Sequence, residues 1–344
     1  MDSTNITFRN QHDHRPDDAW AAKVWETVSH SPLRNLWDLE GLSLKDVFTR
    51  TGKSFLNDNL LSRAAELGYY FLFALFPTLI SASSILGLAA QHASQIYVQL
   101  LNYLALIVPP SAYEMVIDTF KQTTAASTGG KVVLGIVAAL WSASVGFSAI
   151  QDGMNTVYKV KETRPYWKAR GSAMLVTLLL SLLVTLMLAV LLGADIGGKA
   201  SLHHFSVHRW VGYLLFGLIH ITTWVVTISL LILLFSTIYY FAPDLKAKRW
   251  HWLTPGSAIG ILTWIVASIG LRVYLHYFNT YTVTYGSLGA VIILLTWFYV
   301  TGLTLLLGAE VNSEVQAAVV ERLLREEMAP SPAEAVAKSS SDAA

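Results

Sequence analysis

Cysteine is absent from this 344-residue chain, which excludes a disulfide framework, a thiolate metal site and thiol catalysis. Charge is scarce too. Only 14% of residues are charged, and the formal net charge of +1 provides no global field to hold nucleic acid or to steer an acidic substrate. The sequence has no glycine loop followed by lysine and serine or threonine to cradle a phosphate. It also lacks a G-x-S-x-G elbow and a basic–aromatic platform for RNA bases. In "HHFSVH", His204 and His208 stand at i and i+4 beside His203, but no carboxylate or cysteine lies at ligand spacing, so no metal site is assigned. The expectation is a non-enzyme with no catalytic residue, no cofactor, no metal and no nucleic-acid partner.

Apolar residues fill the space that charge leaves. They make up 53% of the chain, and the mean hydropathy of +0.47 lies outside the usual soluble range. Six segments reach the length of about 20 mainly apolar residues that crosses about 30 Å of hydrocarbon. They are residues 67–91, 132–154, 172–194, 212–241, 256–278 and 288–309. The expected fold is therefore all-α: a polytopic membrane protein with six transmembrane helices, whose main partner is the lipid bilayer. The first segment starts after about 65 residues, too late for a signal peptide. Pro77 in its middle predicts a kink, with Ser81, Ser83 and Ser84 near enough to satisfy a freed carbonyl.

Lysine and arginine alternate between successive connections. Lys45, Arg50, Lys53 and Arg63 precede span one, Lys159, Lys161, Arg164, Lys168 and Arg170 follow span two, and Lys246, Lys248 and Arg249 follow span four. The opposite connections carry only Lys121 with Lys131, then Lys199 with Arg209, then none in "NTYTVTYGS". Basic connections stay inside, so both termini face the cytoplasm. Residues 1–44 are expected to form a cytoplasmic segment, partly disordered, with a mobile 1–35 and a short interfacial helix and turn over 36–62. Residues 45–320 form the membrane domain and 321–344 a mostly disordered tail, with "EVNSEVQAAVVERLLREEM" extending span six into the cytosol. Within 92–130, apolar spacing on both sides of Pro109–Pro110 predicts two short amphipathic helices in the first external loop, with a re-entrant pair as the alternative.

Polar residues inside the spans follow helical spacing. Ser144, Ser148, Gln151 and Asn155 are separated by 4, 3 and 4 positions and share one face of span two. Span one carries a comparable line in Glu66, Tyr70, Pro77, Ser81 and Ser84. Such stripes turn away from lipid, either to bond neighbouring helices or to line a wet pathway. Gly256 and Gly260 in "PGSAIG" are four apart and predict close helix packing, within the bundle or against a second subunit, so a homo-oligomer stays open. Arg272 lies about 24 Å along the helix from Gly256, near the outer surface, where it snorkels to headgroups or, with Tyr281 and Tyr285 close in sequence, forms an outer anion or counter-charge site. Glu66, Asp152, Asp244 and Glu310 all fall at span ends near the cytoplasmic surface, and none sits at the midplane. His220, partway into span four, is the titrating group placed deepest.

Three stretches carry a family resemblance: "RAAELGYYFLFALFPTLI", "LWSASVGFSAIQDGMNTVY" and "YGSLGAVIILLTWFYVTGLTLLLGAEVNSE". With the order of spans over about residues 45 to 320, the chain resembles the YihY/BrkB family of bacterial inner-membrane proteins. The resemblance implies six helices with both ends inside and a transport or envelope role, and Glu66 stands where it leads one to expect a small residue. Names in the family refer to virulence or serum resistance, and some members have carried a ribonuclease label, for which this sequence shows no acid cluster. The leading expectation is a transporter or permease for an ion or small solute. Its pathway would use Glu66, Tyr70, Pro77, Ser144, Ser148, Gln151 and Asn155 in the inner half and Arg272 with Tyr285 in the outer half. The alternative is a non-transporting membrane scaffold with an envelope-integrity or resistance role.

Overall fold

The computed structural model describes residues 16–30, 36–37, 43–89, 113, 118, 129–204, 209–277 and 287–328. Among these it forms eight helices and no strand: α1 Pro16–His30, α2 Leu44–Asn57, α3 Leu60–Ala89, α4 Gly129–Val157, α5 Tyr166–His204, α6 Arg209–Phe241, α7 Pro255–Tyr277 and α8 Ser287–Met328. Four are long and apolar enough to cross a membrane, over Tyr166–Ala194, Trp210–Phe241, Pro255–Tyr277 and Leu288–Met328. Helices α3 and α4 cover the first two expected spans, and α3 runs through Pro77 as one helical element. The amphipathic pair expected over 92–130 lies outside the described residues apart from positions 113 and 118, as do Tyr281, Tyr285 and the tail beyond Met328.

Local chemistry sets several boundaries. Ser43 caps α2 by accepting from the Lys45 amide at 3.2 Å. Asn59, at φ 52°, takes the left-handed conformation that asparagine tolerates and turns α2 into α3. Helix α4 ends in a Schellman arrangement, with Val160 N bonded to Asn155 O at 2.9 Å and Lys159 N to Thr156 O at 3.1 Å. The left-handed position there, usually glycine, is Lys159 at φ 54°, whose ammonium pairs with Asp58. Thr254 caps α7, its hydroxyl accepting from Ser257 N at 2.9 Å while the Ser257 hydroxyl accepts from Thr254 N at 2.9 Å; Pro255 occupies the first helical position, where no N–H is required.

Helix α8 is the hub, packing against α1, α2, α3, α4 and α7, while α5 pairs chiefly with α6. At Gly68 an added Cβ would lie 3.1 Å from the Tyr299 backbone nitrogen, and at Gly302 it would lie 3.0 Å from Leu67 Cβ, so α3 and α8 approach closely. By contrast α6 leaves Leu214, Leu218, Ile221, Val225 and Ile228 uncovered, the outward apolar surface a helix presents to lipid.

One expectation is corrected here. Pro16–His30 is a helix inside the segment expected to be mobile, because Trp20, Val24 and Val28 recur at i, i+4 and i+8 and bury against the core. Charged residues between them hide that spacing. The expected extension of span six is present as helix, since α8 continues without interruption from Ser287 to Met328.

Candidate functional site

The polar face of α4 meets α5 at Arg170, in the first turns of that helix. Arg170 is only 9% exposed. Its Nη2 donates to the Trp141 carbonyl at 3.1 Å, its Nη1 makes a long contact of 3.4 Å to Ser148 Oγ, and the guanidinium lies 4.4 Å from the centroid of the Trp141 ring. Its buried Nε has no partner, and no carboxylate among the described residues pairs with it. Ser144 and Ser148 bond back along their own helix, to Trp141 O at 2.7 Å and Ser144 O at 3.1 Å. Gln151 is buried on the same face, and its Nε2 also lacks an acceptor. This seam thus holds a positive charge and spare donors, the combination that receives an anion or another acceptor-rich solute.

Asn155, next on that face, is consumed by structure. Its Nδ2 donates to Glu162 Oε2 at 2.9 Å and its Oδ1 accepts from Asp244 N at 2.7 Å. Around it, Arg164 grips Glu162 with two bonds of 2.7 and 2.6 Å, and Asp244 accepts from Thr163 N and Oγ1 at 2.7 and 2.6 Å. Lys246 reaches Thr163 Oγ1 at 3.0 Å, and Ala247 N bonds Ser29 O at 3.0 Å. The α4–α5 connection is thereby clamped to the α6–α7 connection and to the end of α1. The two-fold bond from Arg164 holds the Glu162 carboxyl below its usual range, and the same pairing raises Arg164. Burial pushes Asp244 up, but the Thr163 donors, Arg164 and Lys246 outweigh it and bring that carboxyl below its ordinary value.

On α8, Glu310 is fully buried and neither carboxylate oxygen has a donor among the described residues. Tyr158 and the Asp58–Lys159 pair lie near enough to interact with it electrostatically, and Glu314, one turn on, accepts from Ser54 at 2.5 Å. The depth reading placed Glu310 at a span end, which is an axial position only. It says nothing of lateral cover by neighbouring helices.

The remaining expected residues are spread over the bundle. Glu66 is part-exposed and pairs with Arg63 at 3.0 Å, and Tyr70 packs against the core and meets Tyr69 edge-on at 5.5 Å between ring centroids. Gly256 and Gly260 face α8, where an added Cβ at Gly256 would collide with the Gly308 carbonyl and stand 2.6 Å from Asn312. Arg272 is exposed, on α7. The Nδ1 of His220 lies 2.9 Å from Phe216 O in its own helix. The side chains of Pro77, Ser81, Ser84, His203, His204 and His208, and all of Tyr285, lie outside the described residues. In the sequence Arg170 is the last of five cations running from Lys159, which masks its inward turn. Its spacing to Ala173 and Thr177, which are also buried, was the available signal that it turns inward.

The family model described as Virulence factor BrkB matches residues 51–332, and the chain belongs to that family of membrane proteins. It is similar to the putative ribonuclease-like protein YfkH of Bacillus subtilis (strain 168), 32% identical over 286 residues that cover 78% of this chain and 94% of the relative. It is also similar to the UPF0761 membrane protein Smlt0865 of Stenotrophomonas maltophilia (strain K279a), 27% identical over 271 residues covering 76% of this chain. A third relative is the UPF0761 membrane protein XOO3417 of Xanthomonas oryzae pv. oryzae (strain MAFF 311018), 27% identical over 265 residues covering 77% of this chain. The matched part spans 59% of the length of each UPF0761 relative. No solved structure matches the chain.

Proposed function

We propose that this chain is a multi-pass protein of the bacterial inner membrane, with six spans and both termini in the cytoplasm, that moves an ion or small solute along the polar faces between its helices without enzymatic chemistry. One observation carries the reading: Arg170 is buried between α4 and α5 with an unpartnered Nε and no acidic partner among the described residues. A charge covered in this way costs several kcal/mol unless it is compensated, and an ionisable group inside a membrane bundle is by default a candidate for a functional site. The positive sign favours an anionic solute. Ser144, Ser148 and Gln151 continue the same face and supply polar contacts along it.

The test is flux into proteoliposomes for a panel of anions, cations and protons, comparing the wild type with Arg170→Gln and Arg170→Lys. Transport of an anion, abolished by Arg170→Gln at unchanged abundance and melting temperature and partly kept by Arg170→Lys, is the expected result. Absence of flux for every solute with correctly inserted protein overturns it. Orientation is read from the same preparation, because a Lys161→Cys variant of this cysteine-free chain reacts with impermeant reagent only from the cytoplasmic side.

A scaffold with an envelope-integrity or resistance role draws on a different observation. Asn155 and Ser144 are already bonded within the protein, which is what interhelical and intrahelical packing requires. That reading gains if alanine at Ser144 and Ser148 changes stability by about 1 kcal/mol or less per lost bond and leaves flux at zero in every preparation.

A further inference from the structure

Beyond the seam at Arg170, a small open cleft with a cavity volume of about 40 Å³ lies where the end of α6, the α6–α7 connection and α8 converge. Lys248, Arg249 and His251 line it on one side, Tyr158, Tyr239 and Tyr240 on another, with Asn312 and Gln316 of α8. No aspartate or glutamate lines it. The three basic residues belong to the connection read above as cytoplasmic.

Most of the polar lining is already engaged. The Tyr239 hydroxyl donates to Leu305 O at 3.0 Å, Ser236 to Trp252 O at 2.6 Å, and Asn312 joins Thr254 at 3.0 Å and Gly256 N at 2.9 Å. These bonds hold the wall rigid. Among the groups left over, two bear on what the cleft can hold. Lys248 is half-buried, and no hydrogen bond or ion pair among the described residues satisfies its ammonium. Gln316 is 5% exposed, lines the cleft, and its buried Oε1 has no donor. Burial, followed by repulsion from Arg164, holds the Lys248 ammonium below its usual range, and the attraction of Asp244 and Glu162 offsets this only in part.

Lys248 and Arg249 on a lining that itself contains no acid give the cleft a positive potential. The unmet acceptor on Gln316 adds a second requirement, that the occupant should also offer a hydroxyl. Hydrogen phosphate meets both conditions, and so does a phosphate carrying a glycerol group, whether free or as a lipid headgroup. The aromatic surroundings fit an interfacial setting: Trp250 packs edge-on to Tyr240 at 5.3 Å and to Trp252 at 5.7 Å, and Trp252 is 68% exposed.

We infer that this cleft is a binding site for a phosphate-bearing, hydroxyl-containing anion, with Lys248 and Arg249 meeting the phosphate charge and Gln316 accepting from the hydroxyl. The site stands apart from the proposed solute seam, and its test does not require transport. Binding is measured on the full chain in detergent by titration calorimetry with inorganic phosphate and with glycerol 3-phosphate. Native mass spectrometry then follows the protein in nanodiscs of phosphatidylcholine alone or with phosphatidylglycerol. Saturable binding of the soluble probes identifies a free phosphate ligand, and retention of phosphatidylglycerol without soluble binding identifies a lipid headgroup. Either supports the site if Lys248→Gln or Arg249→Gln weakens it by about tenfold or more, the loss of one charge-assisted contact. Gln316→Leu should weaken it as well, and because leucine fills the same volume it keeps the test usable should a cation variant fail to fold. Lys161→Gln, an exposed cation outside the cleft, should leave binding unchanged. Equal weakening by Lys161→Gln, or no binding of any probe, overturns the inference.

Discussion

Replacing Gly256 with alanine places a methyl group where α7 crosses α8. The added carbon would collide with the carbonyl of Gly308 and lie 2.6 Å from both Cγ and Oδ1 of Asn312. Neither neighbour can yield cheaply. The first is helix backbone, and Asn312 is held by bonds of 2.9 Å from Gly256 N and 3.0 Å to Thr254 Oγ1. Overpacking costs about 1–3 kcal/mol, and losing these two bonds costs about 1 kcal/mol each, so the expected destabilisation is about 3–5 kcal/mol in total. Gly171, in α5, is the internal reference. An added Cβ there meets nothing within 4 Å, and alanine should stabilise its helix by about 0.5–1 kcal/mol. Thermal unfolding of the purified variants in detergent, followed by tryptophan fluorescence, separates them. A Gly256→Ala protein that melts with the wild type would refute the close approach of the two helices and with it the packing of α8.

Glu310→Met should stabilise the protein by about 1–3 kcal/mol, because it removes two buried oxygens that lack donors while keeping the volume of the side chain. A loss of stability in the same melting assay would mean that the carboxyl has a partner in the folded protein. The clamp predicts a pH dependence of definite sign. Glu162 and Asp244 both titrate below their ordinary values when folded, so their stabilisation is present in full above about pH 5 and is lost as the pH falls below about 4. Asp244→Asn should lower the melting temperature near neutral pH and reduce its further fall on acidification; an acid-induced fall as large as that of the wild type would show that Asp244 is not an acid-sensitive part of the clamp.

Much of the architecture was readable because the forces behind it act locally or depend on composition. Apolar length located α3 to α8, and the four-residue spacing of Gly256 and Gly260 pointed to a face that could come close to another helix. What escaped depends on which helices lie beside which. Glu310 reads as a boundary residue along its own helix and becomes a buried one only when the bundle packs around it, with Tyr158 and the Asp58–Lys159 pair near enough to interact. Arg170 belongs to a basic run that gives orientation, yet α4 turns this one cation inward while Lys161 stays at the surface. The α1 helix was hidden for a related reason, since its apolar stripe is short and is completed by the far end of the chain at α8.

The stripe on α4 shows why helical periodicity finds a face without finding its purpose. Ser144, Ser148, Gln151 and Asn155 recur at intervals of 4, 3 and 4, and one further step of 3 reaches Tyr158, the buried residue just past the end of the helix. Along this line the neighbours change completely. Ser148 touches Arg170 of α5, Gln151 keeps a donor unspent, Asn155 joins two connections through a charged clamp, and Tyr158 borders the basic cleft and interacts with Glu310. Desolvation imposes one rule on all of them, that polar atoms face inward, and therefore produces one pattern in the sequence. The partners come from α5, α8 and the α6–α7 connection, far away along the chain, and it is those partners that divide a single face into a seam with spare donors, a rigid joint and the edge of a cleft.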